Sequence, residues 1–157
     1  MRNTSKFSLK KIEKECRFLA LHVAVGGEGN AHTQKRRRTM NNAKCGVIKK
    51  GDILLANLGG TIGSEQSGVR PCLVVQNDVG NKYSPTTIIV PLTSKTKKST
   101  QPTHVEIGER FGLTECSIAL MEQLRTIDRE RIICQVGRAD KKTMSLVDTA
   151  LRVSLDL

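Results

Sequence analysis

Cys72-Leu73-Val74-Val75-Gln76-Asn77 and Thr86-Thr87-Ile88-Ile89-Val90-Pro91-Leu92 are two β-rich runs. Asn77-Asp78, Gly80-Asn81 and Ser84-Pro85, residue pairs that punctuate regular structure, divide them. Folded as a hairpin about Asn81-Lys82, the runs pair residues whose numbers add to about 163. That register sets Arg70 across from Thr93 at the open end of the hairpin. Working outward, shorter runs of the same kind stand at 53–58, 103–107, 117–121 and 131–136, with breaks at Gly59-Gly60, Gly63, Gly68, Pro71 and Gly112. Five or six strands at this spacing predict a mainly β fold, a small antiparallel barrel. The chain ends differently, because Met144, Val147, Leu151 and Leu155 fall at helical spacing after Asp140, which is placed as an N-cap. A helix over Lys141–Leu155 should pack its apolar face on the barrel.

A chain of 157 residues suits one domain with a tail rather than two domains. Its 38% apolar content and 13 glycines allow an ordinary globular core, but aromatic content is only 3%, with no Trp. Recognition led by stacking bases on aromatic platforms is therefore a poor fit. Net charge is +11 and unevenly placed: residues 1–50 hold 13 Lys and Arg against 3 acids, whereas 51–157 hold 13 against 12. An argument from charge to phosphate binding thus describes the first third of the chain and says little about the body.

The five cysteines, Cys16, Cys45, Cys72, Cys116 and Cys134, are odd in number and at least 18 residues apart. They match neither a zinc motif nor a disulfide framework and read as reduced cytosolic thiols. The longest apolar run, residues 18–25 interrupted by His22, is far shorter than the roughly 20 residues that cross a bilayer. Basic residues ahead of it imitate a signal peptide, but Glu13 and Glu15 break the charge. The expectation is a cytoplasmic protein with no membrane partner.

Residues 1–46 read as a basic, disordered extension to a domain over 47–157. One short helix is open to them through Leu9, Ile12, Cys16, Leu19 and Leu21, but 26–39 combines glycines with Arg36-Arg37-Arg38 and has no periodicity. Three readings stand: a basic arm that aids RNA binding, a solvated extension, or a start codon placed too early. We favour the third, with Met40 as the start. Arg37-Arg38-Thr39-Met40 is what a purine-rich ribosome-binding sequence followed by ATG spells when read through in frame, and arginine codons of the CGN type upstream would refute it.

Within the body, acids are scattered singly and no His/Cys/Asp/Glu cluster has ligand spacing, so neither a metal nor a cofactor is expected. His104, the one histidine there, reads as a satisfied or exposed strand residue in Thr103-His104-Val105-Glu106. The glycine-rich stretch from Gly59 to Gly68 lacks the Lys-Ser/Thr ending of a P-loop. What remains is Arg70 in a glycine-to-proline turn, facing the Thr93 hydroxyl, with Lys95, Lys97 and Lys98 beside it. A guanidinium fork binds two phosphate oxygens, and a hydroxyl donates to a third as charge grows in the transition state. RNA carries its own nucleophile in the 2′-OH, so such a site can cleave it without a metal. Read from residues alone, the bland alternative of a surface ion pair and a strand-end hydroxyl stays open.

Further stretches carry a resemblance: Lys50-Gly51-Asp52-Ile53, Gly63-Ser64-Glu65-Gln66-Ser67-Gly68-Val69-Arg70-Pro71, the run from Cys72 to Asp78, Ser84-Pro85-Thr86, Pro102-Thr103-His104-Val105-Glu106 and Glu122-Gln123-Leu124-Arg125-Thr126-Ile127-Asp128. Together with the terminal helix, the body resembles the MazF/PemK family of mRNA interferases, toxins of type II toxin-antitoxin pairs, over residues 48–157. The resemblance implies an SH3-like antiparallel barrel of the CcdB/PemK kind with short helices and a C-terminal helix, acting as a homodimer. It also implies a metal-independent endoribonuclease that cuts single-stranded mRNA at short sequences, leaving a 2′,3′-cyclic phosphate and a 5′-OH. The family's catalytic arginine and threonine fall on Arg70 and Thr93.

Arg70 is assigned phosphate binding and proton transfer, and Thr93 transition-state stabilisation, although an ordinary arginine is a poor general base unless its pKa is strongly perturbed. Ser64, Glu65, Gln66, Asn77 and Gln123 resemble positions lining the family's RNA groove, where amides and carboxylates read unpaired base edges. Glu65 is equally placed to order its own loop, and Lys95, Lys97 and Lys98 either hold backbone phosphates or form a solvated basic loop. Gly59-Gly60-Thr61-Ile62 stands where many members carry a proline-containing, more apolar segment, which bears on the cut sequence. An acidic antitoxin is expected to cover the groove. The rival reading is a non-catalytic, CcdB-like toxin that binds a protein such as gyrase; the Arg70/Thr93 pair speaks against it, since a binding module has no need of that pair.

Overall fold

The aliphatic and β-branched runs form strands close to where the pattern places them. In the computed structural model, which describes residues 46–94 and 101–157, β1 spans Asp52–Asn57, β2 Val69–Val74, β3 Thr86–Thr93 and β4 His104–Gly108. They are followed by β5 Ser117–Leu120, β6 Arg125–Asp128 and β7 Ile132–Arg138, with α1 at Asp78–Tyr83 and α2 at Lys141–Leu155. Every pairing is antiparallel, in the order β4-β5-β3-β2-β1-β7, with β6 also on β3. No pairing among the described residues joins β7 back to β4 at the two ends of that path. The expected mainly β, antiparallel fold with a terminal helix is the one the chain adopts.

Burial explains the order. Ile53, Leu54, Leu55 and Ala56 are all fully buried, so β1 is covered on both faces rather than alternating core and solvent. Ile53 packs with Leu73, Val90 and Leu92 under Val147 and Ala150 of α2. Leu54 and Ala56 pack with Cys72, Val74 and Ile89. α2 begins as expected, with the Asp140 side chain accepting from the Thr143 amide at 2.7 Å. The helix lies on β4 and on the 3-10 turn that follows β5. Leu155, expected on its apolar face, is 50% exposed instead, since the last turn runs on to a left-handed cap at Asp156.

The hairpin register is the predicted one: Cys72 pairs with Pro91, Leu73 with Val90 and Val74 with Ile89. The connection is not a simple turn about Asn81-Lys82 but the six-residue helix α1, capped by the Asn77 side chain, which accepts from the Gly80 amide at 2.7 Å. Asn81 on this helix is buried, accepting from Thr87 Oγ1 at 2.8 Å and donating to the Gln76 carbonyl at 2.9 Å. The helix is therefore tied to both strands it connects.

β6 is the strand not anticipated. It has four residues, of which only Ile127 is buried, so it shows no alternation to read. The cysteines need one correction: Cys72 and Cys116 carry free thiols, but Cys134 is disulfide-bonded. The extension expected over 1–46, up to residue 45 and including Met40, and the lysines Lys95, Lys97 and Lys98 lie outside the described residues.

Candidate active site

β3 carries the site because its edges change partners. On one edge, residues 86–89 pair with β6, whereas Leu92 and Thr93 pair with Ala119 and Ile118 of β5. On the other edge, pairing with β2 runs only as far as Pro91. Two residues back along β2, Arg70 pairs outward with Ala56 of β1. Continuing the hairpin register by two residues places Arg70 across from Thr93, as the sequence predicts, at a point where each strand is paired to a different outer neighbour. Both residues are half-buried.

The loop from Gly59 to Gly68 covers this end of the sheet. Its base is closed by the Leu58 amide donating to the Gly68 carbonyl at 2.9 Å. At its start, Arg131 Nη1 donates to the carbonyls of Asn57 at 3.1 Å and Gly59 at 3.0 Å. Within the loop, Glu65 Oε2 accepts from the Ile62 amide at 3.3 Å, so Glu65 does act as a loop-ordering acceptor. At its end, Gly68 has φ +76°, a left-handed conformation that glycine adopts freely, before the chain enters β2.

The loop holds the arginine directly. Arg70 Nε donates to the Ser67 carbonyl at 2.8 Å, and Arg70 Nη1 donates to Gln66 Oε1. Gln66 is in turn held by its backbone N–H, which donates to Gln123 Oε1 at 3.3 Å. Nη2 and the rest of the guanidinium edge remain for an anion. Burial lowers the pKa of Arg70, and the neighbouring Cys72 opposes this only once its thiol ionises at high pH. Cys72 itself, buried beneath, is pushed up to about 12 by desolvation and stays a neutral thiol.

The expected site residues thus separate. Arg70, Gln66 and Gln123 form one hydrogen-bonded set, and register brings Thr93 to the same end of the sheet. Ser64 and Glu65 are exposed on the covering loop. Asn77 sits at the other end of the hairpin, where its side-chain oxygen caps α1. His104 is the satisfied strand histidine expected, with Nε2 at 2.9 Å from Glu122 Oε1. Sequence reading missed Ser67 and Arg131, because one acts through its backbone carbonyl and the other from 72 residues or more along the chain. Among the described residues, no group of three or more His, Cys, Asp and Glu side chains could hold a metal ion.

Known proteins carry the same chain pattern. Residues 49–155 match the family described as PemK-like, MazF-like toxin of type II toxin-antitoxin system. The chain is 46% identical over 112 residues to the endoribonuclease EndoA of Bacillus subtilis (strain 168), covering 71% of this chain and 97% of that protein. Among solved structures, MazF from Deinococcus radiodurans is 26% identical with a TM-score of 0.63, covering 71% of this chain and 98% of that one. A mycobacterial endoribonuclease in complex with its cognate antitoxin is 26% identical with a TM-score of 0.59, covering 70% of this chain and 96% of that one. With the family match over residues 49–155 and the 46% identity to EndoA, the chain belongs to the family of PemK-like, MazF-like toxins of type II toxin-antitoxin systems.

Proposed function

We propose that this toxin is an endoribonuclease that cuts single-stranded mRNA without a metal, using Arg70 and Thr93. The observation that carries the reading is Arg70: a half-buried guanidinium fixed at Nε and Nη1 by the covering loop, with its remaining edge free for a phosphate. The 2′-oxygen of the substrate attacks phosphorus and loses its proton, and the bond from phosphorus to the 5′-oxygen breaks as that oxygen gains one. The products are a 2′,3′-cyclic phosphate and a 5′-OH, with no water consumed. Arg70 binds the non-bridging oxygens and shuttles the proton, a role favoured by burial that lowers its pKa. The Thr93 hydroxyl donates to the oxygen on which negative charge grows.

The exposed loop residues Ser64 and Glu65 offer polar groups to unpaired bases near the scissile phosphate, and Lys95, Lys97 and Lys98 are proposed to meet the backbone. Asn77 keeps its amide nitrogen for RNA while its oxygen caps α1. As partners we propose a second copy of the chain, as a homodimer, and a cognate antitoxin lying over the RNA groove, in a cytoplasmic setting. The antitoxin reading is supported by the mycobacterial relative solved in complex with its cognate antitoxin. Among the described residues, no helix is long and apolar enough to cross a membrane.

The test is cleavage of a long mixed-sequence RNA by the full chain in excess EDTA, with fragment ends mapped by sequencing. EDTA-resistant cuts at short recurring sequences, with 5′-OH ends and abolished by Arg70→Ala, are the expected result. Intact RNA in the presence of folded protein would refute the nuclease reading and favour a toxin that acts by binding a protein.

A further inference from the structure

Gln66 and Gln123 enter the reading of the sequence as groove residues that contact RNA bases. The structure gives their polar groups another use. Pairing of β6 with β3 and of β5 with β3 runs along one edge of β3, but the register slips by three residues between the two segments. The extra residues belong to the 3-10 turn Met121–Gln123, which interrupts what is otherwise one strand. The turn is fixed at both ends: Met121 is 1% exposed in the core, and the Leu124 amide donates to the Met121 carbonyl at 3.1 Å. Gln123 is thereby lifted out of the ladder at a fixed place beside the covering loop.

That loop has little else to hold its far end. Ile62, Gly63, Ser64, Glu65, Ser67 and Gly68 are all exposed, so no buried apolar side chain pins this stretch. Gln123 Oε1 accepts from the Gln66 backbone N–H, and Gln66 Oε1 with the adjacent Ser67 carbonyl takes Nη1 and Nε of Arg70. We propose that Gln123 acts through Gln66 as a positioning residue for Arg70, and that neither amide serves chiefly to read RNA bases. The chemistry of the pair fits the task. A neutral amide oxygen orients a guanidinium without cancelling its charge, whereas a carboxylate at 66 would compete with the substrate phosphate.

The proposal rests on Arg70 being catalytic, and the experiment separates the two claims. Gln66→Met, Gln123→Met, the double variant and Arg70→Ala are compared with the parent for kcat, KM, the map of cut sites and thermal unfolding. Methionine matches glutamine in shape and removes the acceptor. Gln66→Met should lower kcat by about 10- to 100-fold, in line with loss of a hydrogen bond to a charged group, and Gln123→Met by about 3- to 10-fold, in line with a neutral one. KM, the cut sites and the unfolding midpoint should stay as in the parent. The loss in the double variant should be smaller than the product of the two single losses, because the part of the Gln123 effect that passes through the Gln66 side chain is already gone while its hold on the loop backbone, and so on the Ser67 carbonyl, remains. Losses that multiply in the double variant, a changed set of cut sites, or an unchanged kcat in Gln123→Met would each overturn the positioning role. If Arg70→Ala keeps its activity, the reading of Arg70 has failed instead.

Discussion

Arg70→Lys isolates what the guanidinium does beyond carrying charge. In the structure one nitrogen donates to the Ser67 carbonyl at 2.8 Å and a second to Gln66, while the rest of the fork stays open. A lysine offers one nitrogen, and it cannot meet both loop acceptors and still present two parallel donors to a phosphate. The variant keeps the positive charge, so attraction of the RNA backbone and hence KM should change little. It forfeits at least one charge-assisted hydrogen bond in the transition state, worth about 1.5–3 kcal/mol. At about 1.4 kcal/mol per decade, this is a loss of about 10- to 100-fold in kcat. Single-turnover cleavage of a fluorogenic RNA, read alongside thermal unfolding, measures it. A lysine variant within threefold of the parent would show that a point charge suffices and that the fork geometry is idle.

Other outcomes follow from the same geometry. Thr93→Val should lower kcat by about 10- to 100-fold with unchanged folding, and Thr93→Ser should restore most of the loss, as expected for a hydroxyl that donates to developing charge; gel cleavage assays check both. Asp52 is buried while accepting from the Lys49 amide at 2.8 Å, Gln135 Nε2 at 3.0 Å and Arg138 Nε at 2.6 Å. Asp52→Asn should therefore cost about 2 kcal/mol in urea unfolding, mostly from the lost charge-assisted bond. Cys72, with its thiol pushed up to about 12, should resist alkylation in the native protein at pH 8 and react fully in denaturant. Because its folded pKa is raised, its contribution to stability is complete below the ordinary thiol range near 9 and is lost as pH climbs from there toward 12. Urea midpoints measured across that interval should fall, and Cys72→Ala should flatten the fall.

What could be read in the sequence was what depends on local pattern. The hairpin register followed from two β-rich runs and the distance between them, and it survived replacement of the expected turn by α1 because pairing depends on where the strands stand, not on what joins them. The terminal helix was legible from its cap, Asp140 and Thr143, together with its apolar spacing. What was not legible depends on partners far along the chain. β6 has a single buried residue and exists because β3 offers it an edge. α1 buries a polar residue, Asn81, so it shows no apolar stripe. Gln123 could be flagged by resemblance, but its acceptor role toward the Gln66 amide, 57 residues away, appears in no local pattern.

The placement of the site has its own physical cause in two prolines. Pro71 on β2 and Pro91 on β3 lack the amide hydrogen that a ladder needs. Pro91 is the last residue of β3 paired with β2, and Pro71 lies between Arg70 and the last paired residue of β2, Cys72. The β2–β3 ladder therefore ends at Pro71, which has no hydrogen to give β3, while Pro91, whose nitrogen faces the other edge, falls between the β6 and β5 pairings. Each strand continues against another neighbour, Arg70 against Ala56 and Thr93 against Ile118. Strands that continue against different outer neighbours give Arg70 and Thr93 separate, fixed backbones at one end of the sheet. The covering loop is exposed, and its ties to Gln123 and Arg131 come from the 3-10 turns on either side of β6. Loop order and arginine placement thus depend on the same few hydrogen bonds, so a substitution that loosens the loop should also loosen Arg70.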